Sequence, residues 1–324
     1  APTEIYTLSL HDALPICNWT ANVTILSGDR DSSNSATAGD SYHVVYFNND
    51  DNVRLDGFTI RYGYANGATA PDGYGGGICI QNGSTGVTIA NCIVEYCSST
   101  YSGGGIYFDV TSGALTIQDC TVQYCTKTET ATGSGGGGIF VNAGSFTITG
   151  TTIQDCASSL TGGGMTVSAG CTGGIFSDTD FIQNTSNGSD DQAGGGLFIN
   201  ATGSIFTMTS CSLVDNSAPG GSGGGLLVYN GGITLDGCTI EGNTSLKGAG
   251  IYLNGNGIDY IIKNSTFDSN IATTTGGGIY TIDIASLSIS NCDFIANIST
   301  SNGNENGGGG DRKSTRLNSS HESP

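Results

Sequence analysis

Few residues in this chain combine types and spacing that could do chemistry. Arg54 and Arg61 fall in one stretch with Asp50, Asp51 and Asp56. A basic side chain beside carboxylates that hold Ca2+ could take a proton from a sugar acid. The simpler reading, and the one adopted, is that these are surface ion pairs. Asp190 and Asp191 lie in a Gly/Ser/Asn loop. Paired carboxylates can act as acid and base on a glycosidic bond, but a solvated loop tip accounts for this pair. Asp29 with Asp31, Asp50 with Asp51, and Asp190 with Asp191 also offer the oxygen ligands that Ca2+ takes. No nonapeptide Ca2+ repeat accompanies them, so the expectation is no cofactor, with Ca2+ as a weak option. His43 stands alone beside a strand and is expected at the surface. The cysteines lack CxxC spacing, which argues against zinc. Buried free thiols are expected, because in-register neighbours seldom have disulfide geometry. No catalytic, cofactor-binding or metal-binding residue is assigned, and the sequence reads more readily as a non-enzyme.

Composition narrows the partners. Nine Lys and Arg stand against 28 Asp and Glu, a net charge of −19 over 324 residues. Such a chain has little with which to neutralise phosphates, which excludes nucleic acid and anionic lipid as expected partners. No apolar run is long enough to form a membrane-spanning helix. The 54 glycines show no Gly-X-Y period, which excludes collagen. Thr, Ser, Asn and Ile dominate over strong helix formers, pointing to a β protein.

Both ends read as foreign. TEIYTLSLHDALPI from Thr3 to Ile16 resembles the translation of a common short-read sequencing adapter, and DRKSTRLNSSH from Asp311 to His321 resembles the opposite one. Residues 1–17 and 311–324 are therefore expected to be adapter-derived, leaving 18–310 as the folded segment.

That segment is a single repeat. A Gly-rich start followed by an aliphatic recurs at Ile78, Ile106, Ile139, Met165, Leu197, Leu226, Ile251 and Ile279, with Val44 as an earlier copy, at steps of 25–34 residues. Within Gly103–Cys125, Ile106 and Phe108 alternate with Tyr107, Leu115 and Ile117 with Thr116, and Cys120 and Val122 with Thr121. Three runs of period two are three short strands. Repeated about every 29 residues, they predict an all-β, right-handed, single-stranded parallel β-helix solenoid of about nine rungs of three short strands, about 43 Å long.

Aligning the copies produces columns. Gly57, Asn91, Asp119, Gly150, Asp178, Ser210, Gly237, Asn264 and Asn291 fall at the bend between the second and third strands. All but Ser210 are types that tolerate the left-handed conformation, so one positive φ per rung is predicted. Another column runs Gly63, Cys97, Cys125, Cys156 and then Asn184, Asn216, Asn243, Asn270 and Asn297. Stacked at the inter-strand spacing of about 4.8 Å, these asparagines are expected to form a side-chain amide ladder. It would satisfy polar groups whose orphaning costs about 1–3 kcal/mol each.

These motifs resemble right-handed parallel β-helix repeat proteins of the pectin-lyase-like class. In detail they are similar to chlamydial polymorphic outer-membrane protein repeats, which carry a Gly-Gly-Ala-aliphatic start and a Phe-x-x-Asn end. The starts here are GGGI, GGGM or GGGL, with GAGI at Gly248–Ile251. The ends are FIQN at Phe181–Asn184, FDSN at Phe267–Asn270 and FIAN at Phe294–Asn297. The resemblance implies a surface-exposed, adhesive role, in a secreted or cell-surface bacterial setting. Polygalacturonase-like members of the class would show Gly-His-Gly and Arg-x-Lys, and neither motif is present.

Two outward columns carry the remaining signal. Tyr107, Phe140, Phe198, Tyr252 and Tyr280 form a strip that could stack on sugar rings or dock a protein. The plainer reading is rung-to-rung stacking. Thr59, Thr121, Thr152, Ser212, Thr239 and Thr266 lie beside Thr88, Thr116, Thr147, Thr207 and Thr234, an array that could order ice but is interrupted by Ile93, Asp180 and Asp293. The expected function is a non-catalytic, adhesin-like or ligand-displaying scaffold, with carbohydrate or a cell-surface protein as partner. The alternatives are a fragment of a polysaccharide lyase or hydrolase and, as a minor one, ice binding.

Overall fold

Period-two runs bury every second side chain, and because each run is too short to form a core alone, copies must stack. In the computed structural model they do. The structure describes residues 23–129, 135–189, 192–255 and 258–300. The termini read as adapters, and the Asp190/Asp191 pair, lie outside the described residues. Every pairing between named strands is parallel, and each joins one rung to the next, in sheets of 13, 10 and 9 strands.

The first sheet carries the Gly-led strands. Nine of them follow one another along its main path. The first is Val45–Asn48, with Val45 rather than Val44 opposite Ile78. In the middle rungs the two expected strands fuse into one, as in Ile106–Gln118, Met165–Ser177 and Leu197–Thr209. Toward the ends they separate again, as Ile78–Gln81 with Val87–Ala90 and Ile251–Asn254 with Asp259–Lys263. The second sheet holds the three-residue strands such as Thr121–Gln123 and Thr152–Gln154. The third sheet was not legible in the sequence. Its strands are short, as in Ser98–Ser99 and Thr126–Lys127, and follow the Cys/Asn column.

All nine residues of the bend column have positive φ, from 48° at Asp178 to 78° at Gly57, Ser210 included. The chain turns there on one residue, which fixes which side chains of the next strand point inward. The core is one continuous file of Ile, Val, Leu, Phe and Cys running the length of the stack.

Within the core, Asn184 donates its Nδ2–H to Asn216 Oδ1 at 3.0 Å and to the Ile153 carbonyl at 2.8 Å. The pattern repeats through Asn216, Asn243 and Asn270 to Asn297, at 2.8–3.1 Å between amides. All five side chains are buried. The Oδ1 of Asn184 accepts the Cys156 backbone N–H at 3.1 Å, so the amide file meets the thiol file without an orphaned donor.

Candidate functional site

The turn from the second sheet to the third is again a single left-handed residue, and here the sequence places bulky types. Tyr62, Tyr96 and Tyr124 have φ of 62°, 52° and 53°. Large side chains seldom accept positive φ, so these three rungs hold a costly conformation, in a column that later rungs fill with Asp155, Gln183, Asp215, Gly242, Ser269 and Ala296. Their rings stack along the solenoid, 5.8 Å apart between Tyr62 and Tyr96 and 5.0 Å between Tyr96 and Tyr124. The Arg61 guanidinium lies 4.9 Å from the Tyr62 ring centre and caps the stack by cation–π attraction. Tyr96 and Tyr124 remain 42% and 41% exposed, so ring edges and hydroxyls face solvent. The Tyr96 phenol is pushed up by desolvation and by the neighbouring Glu95 carboxylate.

Beside this ladder runs a second one. Gln123 Nε2–H donates to Glu95 Oε2 and Gln154 Nε2–H to Gln123 Oε1, both at 2.9 Å. A cleft of about 240 Å3 lies between the tyrosines and Asn34–Ala36, with Ser98 and Thr126 also lining it. Sequence reading missed this site. Its signal was a Tyr just before the column glycine or cysteine in three successive rungs.

The expected aromatic strip lies elsewhere and is not open. Tyr107, Phe140, Phe198 and Tyr252 are 1–6% exposed, and Tyr280 is half-buried. They form two satellite clusters outside the main core, Cys79–Tyr107–Phe140 and Phe198–Leu227–Tyr252. The turn entering each Gly-led strand folds back over them. Gly136, for example, has φ 69°, and a Cβ there would meet the Ile139 carbonyl oxygen at 2.1 Å and Phe140 Cβ at 3.1 Å. The glycines are what let the turn backbone pass against the Cβ atoms of these residues, as Gly194 does at Phe198 and Gly75 at Tyr107. Alternation correctly placed these side chains outside the solenoid core, but it carried no trace of the turn that covers them. Between the two clusters, at the rung of Thr166, is a cavity of about 190 Å3 with Phe140 and Phe198 in its wall.

The other candidates are dispersed. Arg54 and Arg61 lie in different sheets. Arg54 pairs with Asp56 at 2.8 Å, as a surface pair should. His43 is half-buried; its Nδ1 meets the Gly75 carbonyl at 3.0 Å and its ring stacks on Tyr46, while burial pushes its pKa down. Asp50 and Asp51 act as turn caps, accepting from the Asn48 N–H and from Thr85. Asp51 is held low by its hydrogen bonds from Thr85. Asp29 and Asp31 do come together, with Asp40 as an unforeseen third member. Their oxygens already accept from Ser33, Asn34, Thr37 and Arg30 N–H groups, which accounts for the cluster as a loop-ordering device. Lys127 is buried, and desolvation pushes it down to about 8. Its Nζ donates to the Glu129 carbonyl and to Ser159 Oγ. The threonine columns align in register with Ile93, Asp180 and Asp293 within one and exposed Ile175 and Ile261 within the other. All ten described cysteines are free and buried. Among the described residues no helix is long and apolar enough to cross a membrane.

Comparison with known proteins agrees with the architecture. The metabotropic glutamate receptor-like protein R of Dictyostelium discoideum is 34% identical over 134 residues, which is 39% of this chain and 8% of that protein. No solved structure matches. The family model for the right-handed beta helix region matches residues 16–186 and 137–318. With its parallel rungs, left-handed bends and continuous core, the chain belongs to the right-handed beta helix family.

Proposed function

We propose that this chain is a non-catalytic, ligand-displaying segment of a secreted or cell-surface protein, adhesin-like in use, and that it docks its partner on the Tyr62–Tyr96–Tyr124 ladder. The observation that carries this reading is the exposed tyrosine stack on a rigid sheet corner, flanked by the Glu95–Gln123–Gln154 ladder. Tyrosine supplies large amphipathic contact area with little rotamer entropy to lose, and its neighbours have already fixed these rings. The receptor-like name of the Dictyostelium relative supports a surface setting. The chlamydial-type repeat pattern and bacterial origin belong to the same reading, as do adapter-derived residues 1–17 and 311–324.

The test presents the full chain to a glycan array, a panel of acidic and neutral polysaccharides, and intact cells. Binding without any shortening of the polysaccharides is expected. The Tyr96→Ala/Tyr124→Ala double variant should lose about tenfold in affinity, as for central aromatic anchors, with an unchanged β spectrum. Depolymerisation of any polysaccharide would replace this reading with the lyase or hydrolase alternative.

A further inference from the structure

The tyrosine ladder already holds one cation. The Arg61 guanidinium lies 4.9 Å from the Tyr62 ring centre, at the end of the ladder nearer the first rung. That is inside the reach of about 6 Å over which a ring attracts a positive group. At the opposite end Tyr124 stacks on Tyr96, the planes only 11° apart, and stays 41% exposed. One rung on, its place in the column is taken by half-buried Asp155. The pairings of Gln123 with Gln154 and of Thr126 with Ala157 fix that register. Both turn residues share one backbone conformation, φ 53° at Tyr124 and 52° at Asp155. Strand spacing sets the two residues about 4.8 Å apart along the axis. The column thus passes in a single step from aromatic ring to carboxylate.

The electrostatics run one way. The Tyr96 phenol is pushed up first by desolvation, then by Glu95, by its two neighbouring tyrosines and by Asp155. Two carboxylates therefore bear on the exposed rings, in a chain of net charge −19 that draws in cations. The face of an aromatic ring carries the negative side of its quadrupole. A ring face next to a carboxylate suits a group that is both flat and positive. A guanidinium is both: it stacks on the ring and offers the carboxylate two parallel N–H donors. An ammonium matches the charge but has no plane to stack. A neutral sugar would give Asp155 only uncharged hydroxyl donors, which bind a carboxylate less strongly. An acidic glycan would meet like charge from Glu95 and Asp155.

We infer that the Tyr124–Asp155 end of the ladder binds an arginine side chain presented by a protein partner, stacked on Tyr124 and paired with Asp155, as Arg61 is stacked on Tyr62 at the other end. This deepens the ladder reading and rests on it, since it names the partner chemistry of the same site. The test titrates the full chain with acetyl-Gly-Arg-Gly-amide, followed by NMR of the tyrosine rings, with the lysine and citrulline peptides as comparisons. Saturable binding is expected with Kd on the order of 10 mM. The lysine peptide should bind about threefold more weakly, and the uncharged citrulline peptide about tenfold more weakly or worse. Asp155→Asn should weaken arginine binding about threefold, and Tyr124→Ala about fivefold. Tyr124→Phe keeps the ring face and should stay within about twofold, and Tyr124→Trp should bind at least as tightly. Asp268→Asn makes the same charge change four rungs away and should leave binding unchanged. An unchanged β spectrum shows that each variant is folded. Equal binding of the arginine and citrulline peptides, full binding by folded Tyr124→Ala, or equal losses in Asp155→Asn and Asp268→Asn would overturn the inference. Cell binding that is lost in Tyr96→Ala/Tyr124→Ala but kept in full by Asp155→Asn would overturn it while leaving the ladder reading intact. Cell binding kept in full by the double tyrosine variant would overturn the ladder reading, and this inference with it.

Discussion

Asn216 gives both its backbone N–H and its side-chain Nδ2–H to one atom, Oδ1 of Asn243, at 3.0 and 3.1 Å. Asn243 in turn donates to the Leu213 carbonyl and to Asn270 Oδ1. Removing one member therefore strands groups in two neighbouring rungs. Asn243→Ala should lower stability by at least about 3 kcal/mol, since several buried groups at about 1–3 kcal/mol each lose partners. Asn184→Cys should do less, because it extends the thiol file that Cys156 already ends. Urea midpoints of the two variants check the order.

Burial pushes the Cys79 and Cys171 thiols up to about 12 and holds those of Cys97 and Cys125 well above the ordinary thiol range. The thiolate is the reactive form. Native protein treated with maleimide at pH 8 should leave these four unlabelled on peptide mapping, and urea should expose them all. Rapid native labelling of Cys97 or Cys125 would mean the core opens far more readily than its packing implies.

His43 has its pKa depressed by burial. Because the unfolded chain then binds the proton more readily, this residue's contribution is present above about 6.5 and is lost as pH falls through the folded value. Stability should decline from pH 7 toward pH 5, and His43→Gln should flatten that slope. Asp31, Asp51 and Asp236 are held low by hydrogen bonds, so their losses begin only near and below about 4. Thermal melts at half-unit pH steps separate the two windows.

Lys127 is a buried amine with its pKa lowered to about 8, against 10.5 for a free lysine. At pH 7 it is charged in both states and the folded one bears the desolvation cost. Lys127→Met should raise the melting temperature at pH 7 by about 2–4 °C. Ser159 and the Glu129 carbonyl still bond one another after the amine is gone. The gain should shrink as pH climbs from 8 toward 10.5, where the wild-type amine is neutral when folded.

Much of this architecture was legible because residue types advertise backbone geometry. Asn91, Asp119 and Gly237 announce left-handed bends, and all nine positions of that column have them. The second bend was silent, since Tyr96, Gln183 and Ala296 are not types that signal positive φ. The third sheet was silent as well. Pairs such as Ser98–Ser99 are too short to show a period. The sites were harder still. Phe140 alternates as an outward residue should, and only the path of the turn at Gly136 shows it to be covered.

The backbone hydrogen bonds joining rungs run along the solenoid axis, as from Thr121 N–H to the Cys92 carbonyl and from Thr152 N–H to the Cys120 carbonyl. A pull along that axis loads one inter-rung seam after another rather than shearing many bonds together. A tether of this kind would yield in successive small steps, lengthening as each coil peels away while those behind it stay wound.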